Sequence, residues 1–95
     1  MDAGPRANGG NRDPDYPRSL LRRRRPPSGT VDLRFTIDER GAVTDLELVS
    51  DGGTPAFGEA ALERVRGWRF TPARKDGRAV AVRVRKTFRF AVSER

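Results

Sequence analysis

The sequence contains neither cysteine nor histidine. Without cysteine it can form no disulfide and no thiolate metal site. Without histidine it lacks the commonest general base, the commonest metal ligand and the usual switch near neutral pH. Aromatic residues are scarce, at one Trp, one Tyr and five Phe, and they fall where a core needs them. Long apolar runs are missing too. The longest, Ala79–Val82, is far short of the roughly 20 residues that cross a bilayer, and no charged-then-apolar signal segment opens the chain. Any catalysis would have to rest on paired carboxylates. Asp32, Asp38, Glu47, Asp51, Glu59 and Glu63 fall instead on turns and polar faces, so no catalytic residue, metal site or cofactor is expected.

What is present is one small, strongly basic domain. Ninety-five residues carry twenty Lys+Arg against thirteen Asp+Glu, for a net charge of +7, and nearly all the cations are arginine. That balance favours anionic partners in general: nucleic acid, lipid headgroups or acidic protein loops. A chain this short buries about 60–65% of the surface its unfolded form exposes, which predicts modest stability.

Residues 1–13 lack hydrophobic periodicity and are rich in Gly, Asn, Asp and Pro, so they read as a flexible leader ahead of a domain over 14–95. Pro14-Asp15-Tyr16-Pro17 brackets an aromatic residue with prolines, and Pro17 suits the first position of a helix expected over Arg18–Arg25. Pro26-Pro27 stops it. Thr30–Ile37 alternates, with Val31, Leu33, Phe35 and Ile37 on one face, the pattern of a half-buried strand. Asp38–Gly41 supplies turn chemistry, and Val43–Ser50 returns with Leu46 and Leu48 in phase and Val43 out of phase. Thr54-Pro55 then opens a second helix whose apolar stripe runs through Phe57, Ala61, Val65 and Trp68. After Asp76-Gly77, Ala79–Val92 predicts one long third strand, with Val80, Val82, Val84, Phe88, Phe90 and Val92 of one parity and Lys86 the exception among them.

The order helix, strand, strand, helix, strand predicts an α+β fold, a small two-layer sandwich. A three-stranded antiparallel sheet, in the order 3-1-2, is covered on one face by two helices. Strand three then lies on an open edge. Phe35, Phe57, Trp68 and Phe70 are expected in the core.

In sequence order, Pro14-x-Tyr16-Pro17, Gly29-Thr30-Val31-x-Leu33-x-Phe35-x-Ile37-Asp38, Gly41-x-Val43, Phe57, Val65-x-x-Trp68-Arg69-Phe70-x-Pro72, Gly77 and Phe88-x-Phe90 resemble the C-terminal domain of the TonB family of energy transducers. The resemblance spans Pro14–Phe90, and its fragments are specific together rather than singly. It implies a periplasmic module at the end of an inner-membrane protein whose N-terminal helix meets a proton-driven motor complex. An anchor and a proline-rich tether are then expected outside this piece. It further implies a partner, the TonB box of an outer-membrane receptor, added as a strand to the sheet edge so that force opens the receptor to iron-siderophore, vitamin or other scarce nutrients. On this reading Arg83, Val84, Arg85, Lys86, Thr87, Phe88 and Arg89 of strand three meet the partner, and Tyr16 and Pro17 either fix the start of helix one or touch the receptor.

The chain departs from the family in two places. The stretch between Tyr16-Pro17 and the first strand is Arg22-Arg23-Arg24-Arg25-Pro26-Pro27, longer and more basic than usual, and Asp13 stands where a glutamine is common. Arg22–Arg25 is open to three readings: a solvated face, a surface for an anionic partner, or a nucleic-acid contact. A TonB-like envelope scaffold without an energising role and a basic nucleic-acid-binding module stay as alternative functions, the latter on charge alone with no nucleic acid expected. Short domains with open edges also exchange strands, which leaves a homodimer open.

Overall fold

The computed structural model describes residues 3–92. Residues 1, 2 and 93–95, at the ends of the expected leader and domain, lie outside the described residues. In chain order the elements are β1 (Arg6–Ala7), α1 (Arg18–Leu21), β2 (Gly29–Ile37), β3 (Val43–Ser50), α2 (Pro55–Arg66), β4 (Phe70–Thr71), β5 (Ala73–Lys75), β6 (Arg78–Val80) and β7 (Val82–Phe90). β2 is the central strand, with β3 and β7 antiparallel on either side. This is the expected order 3-1-2. The strict alternation of β2 explains its place, because Val31, Leu33, Phe35 and Ile37 are each 0–1% exposed beneath the helices while Arg34 faces solvent.

β3 departs from simple alternation. Between the pairs Thr36–Thr44 and Arg34–Glu47 it carries one residue more than β2, and between Leu33–Leu48 and Asp32–Ser50 another. These are β-bulges, and Asp45 in the first has φ 49°. Val43 lies directly opposite Ile37 and joins the core together with Leu46. The bulge, by resetting the phase between them, corrects the expectation that Val43 is out of step.

α2 starts with Pro55 at its first turn and Thr54 as an extended cap. The Thr54 side chain makes no capping bond; its carbonyl accepts the Phe57 N–H at 2.9 Å instead. Phe57, Gly58, Ala61 and Val65 are the buried face. Gly58 allows α2 to approach β3 closely, since a Cβ would sit 2.9 Å from Leu48 Cδ2 and 3.1 Å from the Asp51 Cβ, and one of these side chains would have to shift.

Three elements differ from the expectation. α1 ends at Leu21 rather than continuing to Arg25. A longer helix would set Arg22 against Arg18 at i,i+4 and against Arg25 at i,i+3, like charges on one face, and Pro26 disfavours a helical Arg25. The third strand is not continuous from Ala79: Arg78–Val80 folds back on Ala73–Lys75 as a separate hairpin, and the edge strand begins at Val82. Asp76 (φ 53°) and Gly77 (φ 79°) supply the two positive φ angles that a tight hairpin turn requires.

The leader is also not without partners. Arg6 and Ala7 pair with Thr71 and Phe70. Ala3 and Arg74 exchange both backbone bonds at 3.0 and 2.8 Å, and the Asn8 N–H donates to the Arg69 carbonyl at 3.0 Å. These bonds are made by backbone groups, which leave no hydrophobic signature in the sequence.

Candidate functional site

β7 has a partner strand on one side only among the described residues. The direction of its amides follows from the hairpin turn. The Asp38 N–H donates to the Ala42 carbonyl, toward β3. Backbone groups alternate sides along a strand, so Gly29, Val31, Leu33, Phe35 and Ile37 turn theirs toward β7. Their partners are Phe90, Phe88, Lys86, Val84 and Val82. The N–H and C=O groups of Arg83, Arg85, Thr87 and Arg89 therefore point outward, away from the sheet. That row is a template for an added strand.

Beside this edge is a groove of about 350 Å³, floored by Phe35, Ile37, Trp68, Phe70 and Val84. Arg85 and Lys86 form one side, and Ala7, Asn8 and Asn11 of the leader form the other. Asn11 holds the leader in place: its amide donates to the Arg69 carbonyl and accepts from the Arg69 N–H, each at 2.9 Å. Trp68 adds a bond from Nε1 to the Arg12 carbonyl at 2.8 Å. The leader residues of this wall carry no apolar periodicity; their only sequence cue is the amide of Asn11, which can imitate a backbone pair.

The β7 residues anticipated from sequence are divided between three places. Val84 and Lys86 reach the groove, whereas Phe88 is buried at 5% exposure beneath the Lys86 ammonium, 5.6 Å from its ring centre. The side chains of Arg83, Arg85 and Thr87 cross the uncovered face of the sheet, although Arg85 also borders the groove. Arg83 donates to the Asp45 carbonyl at 2.6 Å and to Glu47 at 3.1 Å, bracing the bulge of β3. Arg85 and Thr87 converge on Asp32 at 2.7 and 2.6 Å. The Thr87 hydroxyl first, and Arg85 next, hold the Asp32 carboxyl below its ordinary range. The Ala42 N–H, the larger cause, and that of Arg40 do the same for Asp38 in the turn. Arg89 is exposed and its side chain has no partner among the described residues.

Tyr16 and Pro17 are not at the groove. Pro17 caps α1, and the Tyr16 ring meets Phe57 edge-on at 5.4 Å while its hydroxyl donates to the Pro27 carbonyl. Phe57 in turn stacks on Phe90 at 4.5 Å, at the other end of β7. Arg22, Arg23, Arg24 and Arg25 are all exposed in the loop beyond α1. Of the expected core aromatics, Phe35, Phe57 and Trp68 are buried and Phe70 is half-buried.

Residues 12–92 match the family described as Gram-negative bacterial TonB protein C-terminal. The chain is 38% identical over 77 residues to Protein TonB of Vibrio cholerae serotype O1, a match covering 81% of this chain and 31% of that protein. To Protein tonB2 of Pseudomonas aeruginosa it is 35% identical over 78 residues, covering 79% of this chain and 28% of the relative. It thus spans about a third of the length of these relatives. The solution NMR structure of the Pseudomonas aeruginosa TonB CTD superimposes with a TM-score of 0.81 at 26% identity, covering 98% of this chain and 91% of that one. On that match, and on a sheet and helices arranged as the sequence motifs require, the chain belongs to the TonB C-terminal family.

Proposed function

We propose that this chain is the periplasmic, force-bearing end of an energy transducer and that it grips an extended receptor segment along the outer edge of β7. As a member of its family it is not an enzyme. The observation that carries the reading is the row of outward backbone groups at Arg83, Arg85, Thr87 and Arg89, next to an apolar groove with a second wall. An added strand there gains main-chain hydrogen bonds along its length and places alternate side chains over Trp68, Phe70 and Val84. The partner is the TonB box of an outer-membrane receptor, and the work done is uptake of a scarce nutrient such as an iron-siderophore. In the parent protein an inner-membrane, proton-driven motor complex supplies the force.

Arg85→Pro tests this. The substitution removes an outward donor without breaking a bond to β2, whereas Arg85→Ala removes the side chain and keeps the donor. Titration of labelled box peptide, after amide spectra confirm that both variants are folded, is expected to show binding lost in Arg85→Pro and only modestly weakened in Arg85→Ala. Equal affinities in the two variants would reject edge docking.

A further inference from the structure

We propose that α1 and the loop after it form a docking surface for a membrane bearing anionic lipid headgroups, separate from the β7 edge. Arg18 and the run Arg22–Arg25 are all exposed. Among the described residues none of their five side chains makes a salt bridge or hydrogen bond. Elsewhere several surface arginines are paired, Arg64 with Asp15, Arg83 with Glu47 and Arg85 with Asp32, and those without a partner among the described residues, such as Arg34, Arg66 and Arg89, do not stand in a run. The loop therefore concentrates uncompensated positive charge at one place.

A second feature selects the partner. Leu21, within the same stretch, is 48% exposed. The helical turn that displays it, and the loop that follows, are held at their base, since Leu20 is 4% exposed in the core and the Tyr16 hydroxyl donates to the Pro27 carbonyl. A leucine flanked by arginines matches a lipid interface, where guanidinium groups pair with phosphates and the apolar side chain reaches the acyl boundary. A nucleic acid would answer the charge but not the leucine. The neighbouring aromatics that could stack on bases, Tyr16 and Phe57, are packed against each other.

The two surfaces can be occupied together. The basic loop leads into Gly29, which pairs with Phe90 at one end of β7, whereas the groove is floored near Val84 toward the other. The loop would then hold the domain at a lipid surface while the sheet edge holds a peptide.

Sedimentation with vesicles containing phosphatidylglycerol, against vesicles of phosphatidylcholine alone, tests the proposal. Binding is expected only to the anionic vesicles, and it should weaken with added salt. Each of Arg23→Gln and Arg24→Gln is expected to weaken it about fivefold, and Leu21→Ser to weaken it further at equal charge. All three changes lie outside the core, and the variants should keep the amide spectrum and peptide affinity of the parent, which separates this outcome from failure of the edge-docking reading. Inorganic phosphate should displace the protein no better than chloride of equal ionic strength. Binding unaffected by Leu21→Ser, displacement by phosphate alone, or preference for an oligonucleotide over anionic vesicles would each overturn the proposal.

Discussion

Trp68 joins three parts of the molecule, and its replacement separates their contributions. The indole is 7% exposed, meets Phe88 at 5.6 Å and Phe70 at 6.1 Å, and donates to the Arg12 carbonyl in the leader. Trp68→Phe keeps a ring in the core but removes the donor and part of the buried area. The lost hydrogen bond is worth about 1 kcal/mol, and about 40 Å² of apolar surface at 25 cal/mol/Å² adds about 1 kcal/mol. The expected loss of about 2 kcal/mol lowers the melting temperature by roughly 8–16 °C in a domain of this size. Trp68→Ala should cost about 3–5 kcal/mol, a large part of the total stability of so small a domain. Urea titration measures both losses, and hydrogen exchange at the Asn8 amide reports whether the leader has come loose in the Phe variant. The reasoning is refuted if Trp68→Ala melts with the midpoint of the parent. It is equally refuted if Trp68→Phe leaves exchange at Asn8 unchanged while stability falls.

Two further outcomes follow from single contacts. At Gly41 φ is 84°, and a Cβ there would lie 1.8 Å from the Phe70 carbonyl oxygen; Gly41→Ala should therefore destabilise by more than about 2 kcal/mol, measured by urea titration, and a neutral effect would show that the turn does not dock on Phe70. The Asp32 carboxyl, held low by Thr87 and Arg85, favours the ionised form in the fold, so its contribution is present above the ordinary carboxylate range and is lost as pH falls through its lowered native value. Melting curves from about pH 6 down to about pH 3 should fall less steeply for Asp32→Asn than for the parent, and parallel curves would show that the contacts on the open face do not favour its charge.

Legibility from sequence followed the kind of force at each position. The hairpin Gly29–Ser50 and the stripe of α2 were legible because burial imposes a period on Val31 to Ile37 and on Phe57 to Val65. The leader was not, because Ala3, Asn8 and Asn11 are held by polar and backbone bonds to Arg69 and Arg74. The Asp76-Gly77 turn was visible, but its partner strand is three residues long, too short to show alternation. The open edge strand follows from the order of elements. That Arg83 and Arg85 reach across the open face to Glu47 and Asp32 depended on the register of β7 against β2, which residue types alone do not set.

The most direct measurement is amide hydrogen exchange, residue by residue, with and without a peptide carrying a TonB box. A strand added to β7 should newly protect the outward amides of Arg83, Arg85, Thr87 and Arg89. Those of Val84, Lys86 and Phe88, already turned toward β2, should change little. That alternating pattern is the prediction. Protection confined to Tyr16–Arg25, with β7 silent, would contradict the account and move the receptor contact to the basic loop.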